Sequence, residues 1–87
     1  MKEDVYLTRD LYEASLLVAC QQKLLRLELE KEKKGRSFWF IFNDHSACQK
    51  LLDTYWRREL EVNAKAYTDA IRSLKDRLFS MERNLKT

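Results

Sequence analysis

The side chains with the most familiar catalytic chemistry are His45, Cys20, Cys48 and the serines Ser37, Ser46, Ser73 and Ser80. Catalysis needs a nucleophile, a base or a metal brought together in a pocket. His45 follows Asn43-Asp44 at a predicted helix start, where an exposed polar side chain is ordinary. None of the serines stands in a Gly-x-Ser-x-Gly elbow. A single glycine, Gly35, excludes a glycine-rich phosphate loop. Cys20 and Cys48 lie 28 residues apart in apolar runs, and two reduced, buried thiols are expected. A disulfide or a zinc pair is the alternative, yet zinc prefers four ligands in recognisable spacing and His45 alone is on hand to help. The carboxylates are interleaved with Lys and Arg, as on a solvated helix face; Asp69 precedes Arg72 by three positions and Asp76 precedes Arg83 by seven. A non-enzymatic protein without cofactor or metal is the expectation.

Charge offers a second chemistry. The sequence holds 17 Lys and Arg against 14 Asp and Glu, a net of +3. Residues 1–30 carry four basic and six acidic groups, a net of −2, whereas residues 31–87 carry 13 and eight, a net of +5. The excess gathers at Lys31, Lys33, Lys34 and Arg36, at Arg57-Arg58, and along the final helix, where Lys65, Arg72, Lys75, Arg83 and Lys86 fall near one side. Such a patch can neutralise phosphates. A solvated charged surface is the plainer reading, since Asp69, Asp76 and Glu82 are interspersed.

The elements that must hold these groups follow from periodicity. Val5-Tyr6-Leu7-Thr8 reads as a short strand. Thr8 or Asp10 can cap a helix whose Leu11, Ala14, Leu17 and Val18 recur at helical spacing, running to about Gln21. Leu25, Leu27 and Leu29 alternate with Arg26, Glu28 and Glu30 in a half-buried strand, and residues 31–36 are the one easy tight turn. Ser37-Phe38-Trp39-Phe40-Ile41-Phe42 is the clearest strand and completes a hairpin. Asn43-Asp44 caps the next helix, with Ala47, Cys48, Leu51, Leu52, Tyr55, Trp56 and Leu60 on one face. Asn63 caps again, and Tyr67, Ala70, Ile71, Leu74, Leu78, Met81 and Leu85 trace the stripe of a long last helix. The expected architecture is one α+β domain over residues 1–87, in the order β-α-β-β-α-α. It has a small three-stranded, mostly antiparallel sheet packed with helices and a long C-terminal helix.

On the aromatic strand, Phe38, Phe40 and Phe42 point to one face and Trp39 and Ile41 to the other. Helices gathered on the phenylalanine side would leave Trp39, Ile41 and Tyr6 exposed beside Arg26, an apolar anchor for a partner. Coverage of Trp39 by the last helix is the competing arrangement. The order β-α-β-β-α is shared with the RNA-recognition fold, though no clear fourth strand precedes the terminal helix, and Lys34-Gly35 ahead of an aromatic strand resembles the start of its signature. Arg36 stands where that signature has an aromatic, and Trp39 where it has an aliphatic residue. A ferredoxin-like sheet is compatible with the pattern; RNA recognition by that signature is not expected.

Longer stretches carry a further likeness: residues 5–15, Lys23-Leu24-Leu25-Arg26-Leu27-Glu28, Phe38-Trp39-Phe40-Ile41-Phe42, Tyr55-Trp56, Val62-Asn63-Ala64-Lys65 and Ala70-Ile71-Arg72-Ser73-Leu74-Lys75. From about Val5 to Phe79 the chain resembles a family of short uncharacterised prokaryotic and mobile-element proteins, a domain of unknown function. Gln21-Gln22 departs from it where a glycine would end the first helix. The resemblance implies an accessory factor working on a larger assembly and carries no catalytic residues.

Size and hydropathy set bounds. A core of this length supplies about 3–5 kcal/mol of net stability, too little for an elaborate buried active site. No run of about 18 apolar residues occurs, so no membrane span is expected, and the charged start MKEDVYLTRD lacks the apolar core of a secretory signal. A cytoplasmic module that docks on a larger protein or ribonucleoprotein, of a mobile-element or defence system, is the leading expectation. Its interface would be Tyr6, Trp39, Ile41 and Arg26. Direct nucleic-acid binding through Lys33, Lys34, Arg36, Arg57, Arg58, Lys65, Arg72 and Lys75 is the alternative, and a homodimer hiding the Trp39 face is compatible with either.

Overall fold

A computed structural model of the chain describes residues 4–32 and 35–85, with side chains described for residues 4–30 and 37–84. The elements are β1 (Val5–Thr8), α1 (Leu11–Ala19), β2 (Leu24–Glu32), β3 (Gly35–Asn43), α2 (His45–Trp56) and α3 (Ala64–Leu85). This is the expected order, β-α-β-β-α-α. The sheet is antiparallel throughout with β3 in the middle, in the order β1-β3-β2. A hairpin joins β2 to β3, and α1 carries the chain across from one edge strand to the other, a split β-α-β arrangement. Both hairpin strands run further toward the turn than their hydrophobic pattern alone marks, to Glu32 and from Gly35.

Capping explains where the helices begin. Asp10 holds an extended backbone and its carboxylate accepts the amide hydrogens of Tyr12 and Glu13, the groups a helix start leaves unpaired. The Asp44 carboxylate accepts from the Ala47 amide, and the Asn63 side chain accepts from Ala66 at 2.9 Å. All three caps are among those the sequence offers.

Helix ends were harder to foresee. α1 stops at Ala19, and Gln21 takes φ 68° so that its amide reaches Val18 and that of Gln22 reaches Leu17, each at 2.9 Å. α2 closes in the same way, with Arg58 at φ 61° and amide bonds from Arg58 to Tyr55 and from Glu59 to Thr54. This is the Schellman closure, usually built on glycine. Here a glutamine and an arginine adopt the left-handed conformation instead.

The core sits on one side of the sheet. Phe40 and Phe42 are buried against Ala14, Leu16 and Leu17 of α1, Cys48 and Leu52 of α2, and Leu74 of α3. Tyr6, Leu24 and Leu27 pack around its edge. The main helix–helix packing is α3 on α1. At 1.5 Å per residue the 22 residues of α3 reach about 33 Å, far beyond the nine of α1. Its second half therefore runs out beside β2, where Asp76, Arg77, Ser80 and Met81 face Leu25 and Leu27 across a hollow.

Candidate interaction surfaces

The outer sheet face is built by strand alternation. Leu7, Ile41 and Arg26 stand side by side across the three strands, and Glu28 pairs with Trp39 in the next row. Trp39 is half-buried rather than open: its indole Nε1–H donates to the Glu30 carboxylate, and the Arg9 guanidinium lies 4.8 Å from its ring centroid. Arg26 is paired with Glu28 at 2.9 Å.

Two members of the expected anchor are displaced. Ile41 is only 2 % exposed, because it occupies the central strand with a neighbour on each side. Tyr6 belongs to the other face. It pairs with Phe42, packs at the edge of the core, donates its hydroxyl to Glu13 Oε1 at 3.1 Å and sets its ring 5.6 Å from that of His45. Burial, then the Glu13 carboxylate, pushes its phenol up to about 12. Leu7, half-exposed beside Ile41, takes the place expected of Tyr6.

The basic candidates are scattered. Lys33 and Lys34 lie outside the described residues, as does the side chain of Arg36. Arg57 pairs with Glu59 at 3.8 Å, and Lys65 with Asp69 at 3.1 Å. Arg58 is exposed and borders a hollow with Tyr55 and Trp56. Arg72 and Lys75 line a shallow trough along the outer side of α3, with Ile71 and Phe79, and Phe79 is 61 % exposed. Among the described residues, Arg72 and Lys75 are the pair of these candidates that shares a hollow, and Asp76 lines it with them.

Cys20 and Cys48 are free thiols. Cys48 is fully buried, 3.5 Å from the Asn43 carbonyl it donates to, and burial first, then Asp44, pushes it up to about 11. Burial also raises Cys20.

The most open aromatic surface lies elsewhere, where three helix ends converge. Tyr12 is in the first turn of α1, Tyr55 and Trp56 end α2, and Tyr67 is in the first turn of α3. With Asp10 and Glu13 they enclose a cavity of about 80 Å³. A shallower hollow of about 380 Å³ adjoins it, floored by Leu16, Leu60, Val62 and Ala64. Trp56 is 73 % exposed and Tyr12 60 %, and the Tyr55 and Trp56 rings meet edge to face at 5.5 Å. Burial raises the Tyr67 phenol, with Tyr55, Tyr12 and Asp10 adding to the rise.

This groove corrects an expectation. Tyr55 and Trp56 share the periodic face of α2 with Cys48 and Leu52, so periodicity assigns them to the core. The helix runs past the core before its last turn, which leaves both rings open. Tyr12 gives no sequence signal of its own. The nearest to one is the density of large apolar residues from Tyr55 to Val62, immediately ahead of the Asn63 cap.

Comparison with known families settles membership. The family model described as Domain of unknown function (DUF5659) matches residues 3–80. The chain belongs to that family. The DUF5659 match spans every element from β1 into the last turns of α3, and with it the aromatic groove, the outer sheet face and the Arg72–Lys75 trough. No curated protein and no solved structure matches the chain. Among the described residues, no helix of this DUF5659 chain is long and apolar enough to cross a membrane.

Proposed function

We propose that this chain is a non-enzymatic accessory module that docks on a larger protein, free or within a ribonucleoprotein, in the cytoplasm. The observation that carries the reading is the groove at the three helix ends, where Trp56 and Tyr12 are among the most exposed large hydrophobic residues. Rings held open to water by short, well-capped helices cost free energy as exposed apolar surface and return it when a partner covers them. Tryptophan and tyrosine are also the residues that most often dominate interface energetics. The prokaryotic or mobile-element setting belongs to this proposal through the resemblance read from the sequence.

Selection of random displayed peptides on the immobilised chain tests it, with the Tyr12→Ala/Trp56→Ala variant as the counter-target. Peptides that bind the chain and lose at least tenfold on the variant are expected. A selection that yields only peptides indifferent to the variant overturns docking through the groove.

A second reading has one observation in its favour, the exposed Phe79 ring beside Arg72 and Lys75 on α3. Cations beside an exposed aromatic suit single-stranded nucleic acid, phosphate against charge and base against ring, although Asp76 lines the same trough. Fluorescence anisotropy of labelled DNA and RNA across a salt series separates the two. Binding that weakens steeply with salt and vanishes in Arg72→Glu/Lys75→Glu would put this reading first.

A further inference from the structure

The groove has a sign opposite to that of the whole chain. Asp10 and Glu13 both line its enclosed part. The chemistry of α1 fixes them there, one as its cap and the other in its first turn. Asp10 Oδ1 accepts the amides of Tyr12 at 2.8 Å and Glu13 at 3.3 Å. The two oxygens of Glu13 face the hydroxyls of Tyr6 at 3.1 Å and Thr8 at 3.5 Å. Every one of these donors is neutral, and neither carboxylate is in an ion pair among the described residues. The helix N-terminus offsets part of the Asp10 charge. Glu13, the deeper of the two, stands in the same first turn and accepts from two neutral hydroxyls, so no cation neutralises it among the described residues.

No lysine or arginine is among the described side chains lining this cavity, and Arg58 stands on the adjoining rim. Its walls are Tyr12, Tyr55, Trp56 and Tyr67. Aromatic rings attract cations through their negative faces, tryptophan most strongly. Four rings and two carboxylates outside any ion pair among the described residues, around one small cavity, make a site for a positive group. The neighbouring aliphatic floor of Leu60 and Val62 suits a methylene stem.

We propose that the groove receives a lysine or arginine side chain of the partner protein, its charged head among the four rings and the Asp10 and Glu13 carboxylates, its stem along Leu60 and Val62. This rests on the docking reading above and names the partner's chemistry. Charge complementarity argues for it: the chain is basic overall, whereas the cavity among these four rings is lined by two carboxylates and, among the described side chains, by no lysine or arginine.

The test uses the peptides recovered by display and an isosteric variant, Asp10→Asn/Glu13→Gln. Asparagine caps a helix as well as aspartate, and glutamine still accepts from Tyr6, so the fold is retained; far-UV circular dichroism checks this. Recovered peptides are expected to share a lysine or arginine, to bind the variant about tenfold more weakly, and to lose the same factor on the wild type when that residue becomes norleucine. Neutral peptides that bind both forms equally, yet fail on Tyr12→Ala/Trp56→Ala, would overturn the cation and leave docking standing. Absence of any groove-dependent peptide would overturn both. A mass near twice 10.5 kDa by light scattering, abolished by Trp56→Ala, would seat a second copy in the groove and overturn the partner.

Discussion

Gln21 and Arg58 show how much of this fold is decided by single backbone conformations. Each closes a helix at positive φ with a β-carbon that glycine would lack. A left-handed non-glycine residue costs about 1–2 kcal/mol, and glycine forfeits part of that gain through its freer unfolded chain. Gln21→Gly is therefore expected to stabilise the protein by about 0.5–1 kcal/mol, read as a higher urea midpoint at unchanged slope. A lower midpoint would mean that the Gln21 side chain holds the turn. Sequence alone left the Gln21-Gln22 turn open, because it shows no glycine there and does not show what replaces a glycine's geometry.

The buried Cys48 thiol, with the partly buried Cys20 and Tyr6, sets a pH dependence. Cys48 rises from 9.0 to about 11 and Tyr6 from 10.0 to about 12, and Cys20 moves upward as well. Each group holds its proton more tightly folded than unfolded. Their contribution is complete below the unfolded values and is lost as pH rises through the folded ones. Urea midpoints measured from pH 8 to 12 are expected to fall from pH 9 onward. Cys48→Ala lowers the midpoint at pH 8 and flattens the fall between pH 9 and 11. A slope unchanged by the substitution would assign the alkaline loss to other groups.

Among the elements, the long alternating ones were legible. Phe38 to Phe42 gave the central strand and its core face, and the stripe from Tyr67 to Leu78 gave α3. β1 was legible as a strand over Val5–Thr8 but not in its facing, because four residues alternate too briefly to say which side is buried. Thr8, the last residue of the strand, decides it: its Oγ accepts the Asp10 amide at 3.1 Å and lies 3.5 Å from Glu13, which places Thr8 and Tyr6 over α1. Periodicity failed at the end of α2 for a different reason. It reports which side of a helix is apolar and says nothing about where the core beneath it ends. On α3 the two sides separate cleanly. Leu74→Ala, deep between α1 and the sheet, is expected to cost about 2–5 kcal/mol, whereas Phe79→Ala should shift stability by less than about 0.5 kcal/mol. Chemical denaturation of both variants checks this, and equal losses would place Phe79 in the core.

At the scale of the whole molecule, the described residues pack around one small core and leave the two tryptophans in contrasting places. Trp39 is tied down on the outer sheet face by Glu30 and Arg9; Trp56 stands open at the converging helix ends. The sequence pointed to the first as the anchor because a strand displays its faces in its alternation. A groove assembled from the ends of three helices appears only after they pack. Those same two indoles report which surface binds. The most direct measurement is a titration of the ¹⁵N-labelled chain with the displayed peptides, following both indole N–H signals. Docking through the groove requires the Trp56 signal to move while the Trp39 signal stays. Movement of Trp39 alone, or of neither, contradicts it.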